Sequence, residues 1–147
     1  QYAAPIAVDT MLLNFNISIA NNEVQTFGRH YTQQDNEELQ GQINQANLVL
    51  NTPDITQLQV DQANTDLITA LSNYQSKWIV TDLDINELKN IANNLLTVNG
   101  TDPTTVYFHR VVDAFNRLDQ YYPMPEIKKN YMNLEDAIQE YKDFVAS

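Results

Sequence analysis

The residues of this chain that are able to do acid–base or metal chemistry are two histidines and its carboxylates, and their spacing favours neither. His30 and His109 each lack a second histidine three or four positions away, so a zinc site at either would need ligands from elsewhere. Glu37 and Glu38 are adjacent, and adjacent side chains on a helix point about 100° apart. We expect solvated carboxylates here, because a general acid and a general base must converge on one bond.

The segment that starts at Asp82 has the alternating oxygen donors of a calcium loop. The pattern then fails, because Glu87 stands where such a loop needs glycine and Asn93 where it needs a bidentate glutamate. Helix-capping carboxylates are the better interpretation. The chain has no cysteine, no phosphate-binding glycine loop, no nucleophile elbow and no HExxH motif. The sequence therefore predicts no catalytic residue, no metal site, no cofactor site and no enzyme.

Aromatic residues are concentrated in the last third of the chain. Tyr107 and Val111 share one face of a predicted helix and are expected in the core. Exposed aromatic clusters mark binding surfaces. Four aromatic residues lie off the core face or in the following loop, and they form the predicted binding surface: Phe108, Phe115, Tyr121 and Tyr122.

Charge and composition exclude several classes of partner. Nineteen acidic and eight basic residues give a formal charge of −11, which repels phosphate backbones and anionic lipids. No stretch of about 18 apolar residues is present, so we expect no membrane insertion and no nucleic acid partner. Three glycines and five prolines leave little material for the turns of a sheet protein, and helices are favoured.

An internal repeat organises the chain. Ile19-Ala20-Asn21-Asn22 recurs 72 positions later as Ile91-Ala92-Asn93-Asn94. Further apolar positions recur at offsets of 68 and then 67, so insertions or deletions fall between the blocks, where loops belong. Each copy holds three helical stretches. The sequence predicts an all-α fold of two tandem three-helix bundles, residues 1–78 and 79–147.

Turn residues place the helix ends. We expect the first helix over Val8–Phe27, stopped by Gly28 in a left-handed conformation. Thr32 or Gln33 should cap the second helix and Thr56 the third. In the second copy, Asn99-Gly100-Thr101-Asp102-Pro103 should separate two helices, with Asp102 as the cap and Pro103 at the first helical position. The last helix is expected over Glu126–Phe144.

The junction between the copies allows two interpretations. Between Gln57 and Asn99 there is neither glycine nor proline, which favours one long bridging helix shared by both bundles. Ile79-Val80-Thr81-Asp82 is β-branched and then cap-like, which favours a restart at Asp82 or Asp84. We expect continuity, or a bend only. Trp78, in phase with the apolar series, is expected to bury its ring between the bundles.

The segment from Tyr31 to Leu71 resembles the FIVAR family of helical modules. The shared positions are Tyr31-Thr32, Leu39, Ile43, Ala46, Leu50, Asp54-Ile55-Thr56-Gln57, Val60-Asp61, Ala63, Leu67 and Ala70-Leu71, with a weaker second copy in 84–145. Such modules repeat in Gram-positive cell-wall adhesins and in secreted carbohydrate-active enzymes. The resemblance implies a spacer or adhesive role, an extracellular or bacterial cell-surface location, neighbouring domains of a longer chain, and no catalytic residues.

Two functions from different classes follow. The first is a non-catalytic stalk or adhesive module that docks a protein or a glycan. The alternative is a phage virion or assembly component whose bundle packs against copies of itself. A stalk should stay monomeric at micromolar concentration, whereas an assembly component should form a stoichiometric oligomer.

Overall fold

The computed structural model describes residues 7–98 and 101–147, and six α-helices with no strand account for the regular structure in them. The prediction of an all-α fold is confirmed. A short 3₁₀ turn, Gly28–His30, follows the first helix. The helices are α1 (Met11–Phe27), α2 (Gln33–Leu50), α3 (Gln57–Ser76), α4 (Asp82–Leu96), α5 (Val106–Leu118) and α6 (Met124–Ala146).

The helices group into two compact units, with the division between Trp78 and Ile79. In the first unit α1 packs against both α2 and α3, which pack on each other. In the second unit α4 packs against both α5 and α6, which pack on each other. Each unit is thus a three-helix bundle.

Residues at equivalent positions of the repeat form the two cores. Ala20 and its counterpart Ala92 are both fully buried, as are Leu67 and Leu134. Tyr74 and Tyr141 are each 3% exposed. The two cores therefore match at these three positions, whereas buried Asn16 and Ile17 of the first unit correspond to Leu88 and Lys89 in the second.

Threonine caps begin four of the helices. The side chains of Thr32, Thr56, Thr81 and Thr105 each accept a hydrogen bond from the backbone N–H three residues later. Such caps satisfy donors that the first helical turn leaves without a partner. The predicted caps Thr32 and Thr56 are confirmed.

The prediction of one continuous bridging helix is wrong. Helix α3 ends at Ser76 and α4 begins at Asp82. The Asp84 N–H donates to Thr81 Oγ1 over 3.1 Å, and the Thr81 N–H donates to the Asp84 carboxylate over 2.9 Å. This reciprocal capping box stabilises the start of a new helix at Asp82. The segment therefore begins a second helix, although it contains no glycine or proline to interrupt the first.

Two further predictions about the loops need correction. Helix α1 ends at Phe27, directly before Gly28, as predicted, but Gly28 has φ −55° and ψ −30°, so it is right-handed and continues into the 3₁₀ turn. Asp102 is not a helix cap. Its carboxylate accepts hydrogen bonds from the backbone N–H and hydroxyl of Thr104, and this local turn delays α5 until Val106. Asn99 and Gly100, the first part of the predicted turn, lie outside the described residues.

The outer helices differ slightly from their predicted bounds. Helix α1 begins at Met11, three residues after the predicted Val8. Helix α6 begins at Met124 with Pro125 in its first turn, where a missing N–H removes no helical bond.

Candidate binding surface

The loop between α5 and α6 presents two neighbouring tyrosines. Helix α5 ends at Leu118 with Asp119 as its C-cap, and Pro123 precedes α6. The Tyr121 side chain is fully exposed. Tyr122 is half-buried, and its hydroxyl donates to Gln120 Oε1 over 3.0 Å. The loop thus holds one aromatic ring in solvent beside another that is anchored.

Both tyrosines line a depression of about 260 Å³ within the second unit. Rings, amides, carboxylates and a guanidinium converge there, which is the mixture of stacking and hydrogen-bonding groups that polar ligands require. The side chains around the depression are Asp82, Ile85, Arg117, Leu118, Asp119, Gln120, Tyr121, Tyr122, Ile127 and Asn130.

Lys89 places a positively charged group at one side of this loop. Its ammonium group forms an ion pair with the Asp119 carboxylate and lies 5.0 Å from the centroid of the Phe115 ring. Partial burial lowers the pKa of Lys89 from its ordinary value. Lys89 therefore links the loop to α4 through a charge contact and a cation–π contact.

The four predicted surface aromatics do not lie together. Phe108 packs against the core of the second unit, with its ring centroid 6.4 Å from that of Tyr141, and Phe115 packs against the same core. Phe108 lies ten residues before the end of α5, about 15 Å along the helix axis. Only Tyr121 and Tyr122 border the depression, and the use of this loop for binding stays a prediction.

Several lining residues have no signature in the sequence. Asp82 comes from the start of α4, and only the packing of α4 on α5 and α6 brings it to the α5–α6 loop. Arg117 and Gln120 shortly precede the predicted tyrosines. This proximity in sequence is the feature that could have placed them at the depression.

His30, Asp84 and His109 belong to three different elements, the 3₁₀ turn, α4 and α5. Asp84 closes the capping box described above. His109 is exposed, and His30 lies on a tryptophan ring. Within residues 7–98 and 101–147 no group of three or more histidines and carboxylates is placed to hold a metal ion.

An aromatic cluster closes one end of the first unit. The rings of Tyr31 and Tyr74 stack with centroids 3.8 Å apart, and the Tyr74 hydroxyl donates to Asn36 Oδ1 over 2.6 Å. Burial, together with the smaller effect of the nearby carboxylates of Glu23 and Asp35, raises the pKa of Tyr74 to about 12. Burial also raises the pKa of Tyr31 well above its ordinary value.

Trp78 belongs to this cluster. Its ring stacks on His30 and makes a T-shaped contact with Tyr31, with centroids 6.0 Å apart. Phe27 lies 6.2 Å from it. These contacts join the end of α3 to the turn between α1 and α2.

No family model, curated protein or solved structure matches the chain. Among the described residues, no helix has both the length and the apolar character needed to cross a bilayer.

Proposed function

We propose that this chain is a non-catalytic, extracellular structural or adhesive module of a bacterial surface protein. The observation that carries the proposal is the duplication of one small bundle with its core positions retained. Ala20, Leu67 and Tyr74 have equally buried counterparts in Ala92, Leu134 and Tyr141. Repetition of a self-contained bundle adds length to a protein without requiring a pocket.

Some surface positions differ between the two bundles, whereas others, such as Met11 and its counterpart Leu83, are apolar and exposed in both. Phe15 on α1 corresponds to Glu87 on α4 at the repeat offset of 72. A spacer needs conserved packing and tolerates such divergence. The resemblance of residues 31–71 to FIVAR modules supports the same role, with neighbouring domains of a longer chain.

The α5–α6 loop is the proposed docking surface. An exposed ring such as Tyr121 stacks on the C–H face of a sugar or on an apolar side chain of a protein. Arg117, Gln120 and Asp119 border the same depression and offer donors and acceptors for hydroxyl or amide groups. The chemistry suits a glycan or a polar protein segment.

Single-molecule force spectroscopy tests the structural role. A polyprotein carrying this chain between marker domains should unfold in two steps, because each bundle has its own core. Each step should release roughly 245–275 Å of chain, from about 70 to 78 residues at about 3.5 Å each. One all-or-none step of double length, or no measurable resistance, would contradict a pair of load-bearing modules.

Binding to immobilised glycans and surface proteins tests the docking role. Tyr121→Ala should abolish any binding that the native chain shows, whereas His109→Ala, an exposed change on α5, should leave it intact. Equal binding by both variants would place the docking surface elsewhere.

One observation favours the assembly alternative, namely the exposure of Met11, Leu12 and Phe15 on α1. Solution mass separates the two functions. A chain that forms a stable, stoichiometric oligomer at micromolar concentration is an assembly component, and a monomer at that concentration fits the surface module.

A further inference from the structure

The depression beside the α5–α6 loop contains a polar side chain that the bundle leaves without a partner. Asn130 is 5% exposed and lies on the core side of α6, one turn before the fully buried Leu134. Within residues 7–98 and 101–147 no group forms a hydrogen bond with its side-chain amide. A nearly buried amide without a partner destabilises a fold, so Asn130 calls for a hydrogen-bonding molecule from outside the chain.

This amide is not sealed inside the bundle. In the part of the chain that the structure describes, every side-chain nitrogen or oxygen that is fully shielded from solvent has a hydrogen-bond partner. The Asn130 amide has none, so its polar atoms keep a small accessible surface, and Asn130 lines the depression. The amide is therefore placed to donate to and accept from a molecule that enters there.

The repeat shows that packing of the bundle does not require an amide at this position. The offset of 67 that aligns Leu134 with Leu67 also aligns Asn130 with Ala63. Ala63 is half-buried on α3 of the first unit. A small apolar side chain therefore suffices there for a three-helix core, and the amide is a feature of the second unit alone.

The charges around the depression nearly cancel. The Asp82 carboxylate accepts hydrogen bonds and the Arg117 guanidinium donates them, and both residues line the depression. The second carboxylate, that of Asp119, is paired with Lys89. The chain as a whole carries a formal charge of −11, which repels anions. The matching ligand is therefore neutral and both donates and accepts hydrogen bonds.

We propose that the depression binds one neutral hexopyranose ring of a glycan, an inference that rests on the docking role proposed above for this loop. Such a ring carries hydroxyls around its edge, each of which donates and accepts, and a C–H face that stacks on the exposed ring of Tyr121. Ile85 and Ile127 supply apolar contacts. The volume of about 260 Å³ lies below the range of roughly 300–1,000 Å³ for drug-sized ligands, so it suits a single ring.

A polar protein segment fits the depression less well than a sugar ring. Peptides are recognised along the edge of a sheet or in a long apolar or aromatic groove. The described residues contain no strand. A depression of this size is also too short for a segment of several residues, and polar groups surround it.

Amide NMR of the isotope-labelled chain tests the site with three probes, the methyl glycosides of glucose, mannose and galactose. At least one should cause saturable shifts centred on residues 117–122, with a Kd on the order of 1–10 mM for so small a ligand. Sodium glucuronate should bind at least about tenfold more weakly, because its carboxylate is repelled. No saturable shift with any of the three sugars, or tighter binding of glucuronate, overturns the proposal. Tighter binding of the capped peptide N-acetyl-Gly-Ser-Gly-amide would assign the depression to a protein segment instead.

Asn130→Leu separates binding from packing. It keeps the approximate size of the side chain and removes the amide, so affinity for the sugar should fall at least about tenfold. The melting temperature should stay the same or rise, because an amide without a protein partner is lost. Asn133→Leu is the matched control, since Asn133 is exposed on α6 and lies outside the depression. Equal affinity in the two variants would overturn the proposal.

Tyr121 gives an answer that does not depend on how the core tolerates Asn130→Leu. Tyr121→Phe keeps the aromatic ring and should bind the sugar as the native chain does, whereas Tyr121→Ala should bind about fivefold more weakly or worse. Native affinity in Tyr121→Ala would overturn the stacking and with it the proposal. The force experiment reports on the two bundles alone. Absence of sugar binding together with two-step unfolding therefore contradicts the sugar site and leaves the proposed structural role standing.

Discussion

The imidazole of His30 lies flat on the indole of Trp78, with ring centroids 4.0 Å apart and planes within 6° of parallel. His30 ends the 3₁₀ turn after α1, and Trp78 follows the end of α3. The pair therefore holds together two chain segments that are far apart in sequence. Stacked aromatic pairs contribute beyond the area that they bury.

Trp78→Ala should destabilise the first unit by about 2 kcal/mol, less than for a fully buried tryptophan because the ring is half-buried. Urea denaturation followed by circular dichroism measures this loss. A double-mutant cycle with His30→Ala should give a coupling energy of about 1 kcal/mol. His109→Ala, an exposed change, is the control and should leave the midpoint unchanged. A coupling energy near zero would mean that the stacking adds nothing to burial.

Asn36 links three parts of the first unit and should be sensitive to substitution. Its side chain donates to the Gly28 carbonyl over 2.9 Å and accepts from the Tyr74 hydroxyl over 2.6 Å. Asn36→Ala should cost about 1–3 kcal/mol, because it leaves the buried Tyr74 hydroxyl without this partner. Adding Tyr74→Phe to Asn36→Ala should cost little more, since the hydroxyl left without its partner is then gone as well. Strictly additive losses would contradict this account.

Alkaline pH should destabilise the first unit. The pKa of Tyr74 is about 12 in the folded chain, and an unfolded tyrosine titrates near 10. The folded state thus holds its phenol protons more tightly, so the stabilisation is complete below about pH 10 and is lost as pH rises towards about 12. Urea midpoints should stay nearly constant up to about pH 10 and fall between about pH 10 and about pH 12. Tyr74→Phe should flatten this decline, while Tyr121→Phe, at an exposed position, should not.

The helical fold and the buried positions could be predicted from the sequence, because the helical spacing of apolar residues recurs in both copies of the repeat. Both copies must bury one face of each helix. Ala20 and Ala92, or Leu67 and Leu134, are buried because one helix geometry presents them to one kind of core. The caps Thr32 and Thr56 were predictable for a similar reason, since a hydroxyl before an amphipathic stretch satisfies a local donor.

Boundaries that depend on competing local bonds were less predictable. Asp102 resembles a cap, but its carboxylate bonds to Thr104 within the turn, and Thr105 takes the cap position. The depression at the α5–α6 loop was only half predictable. The exposed position of Tyr121 and Tyr122 could be predicted because they lie in a loop with two prolines. Asp82 reaches the depression through the packing of α4, which no local sequence pattern indicates.

The capping box at Thr81 should determine where α4 begins. Thr81→Ala should cost about 1 kcal/mol, because the N–H of Asp84 loses its acceptor. Thr81→Ser keeps the hydroxyl and should restore most of the stability. Amide hydrogen exchange should show faster opening of the first turn of α4 in the alanine variant alone. Equal protection in all three chains would mean that packing, and not the cap, fixes this start.

Substitutions at the four predicted surface aromatics should separate packing from binding. Phe115→Ala should lower the unfolding free energy by about 1–3 kcal/mol, because its ring packs on the core of the second unit and beneath the Lys89 ammonium group. Tyr121→Ala should change it by less than about 0.5 kcal/mol, since the ring has no buried surface to lose. Chemical denaturation of both variants measures these changes in unfolding free energy. The glycan and protein binding assays measure the effect of each substitution on binding. Loss of binding in Tyr121→Ala without loss of stability would identify the ring as a contact residue. Loss of stability in Tyr121→Ala would instead show that this loop stabilises the bundle. Loss of binding in that variant would then not identify Tyr121 as a contact residue.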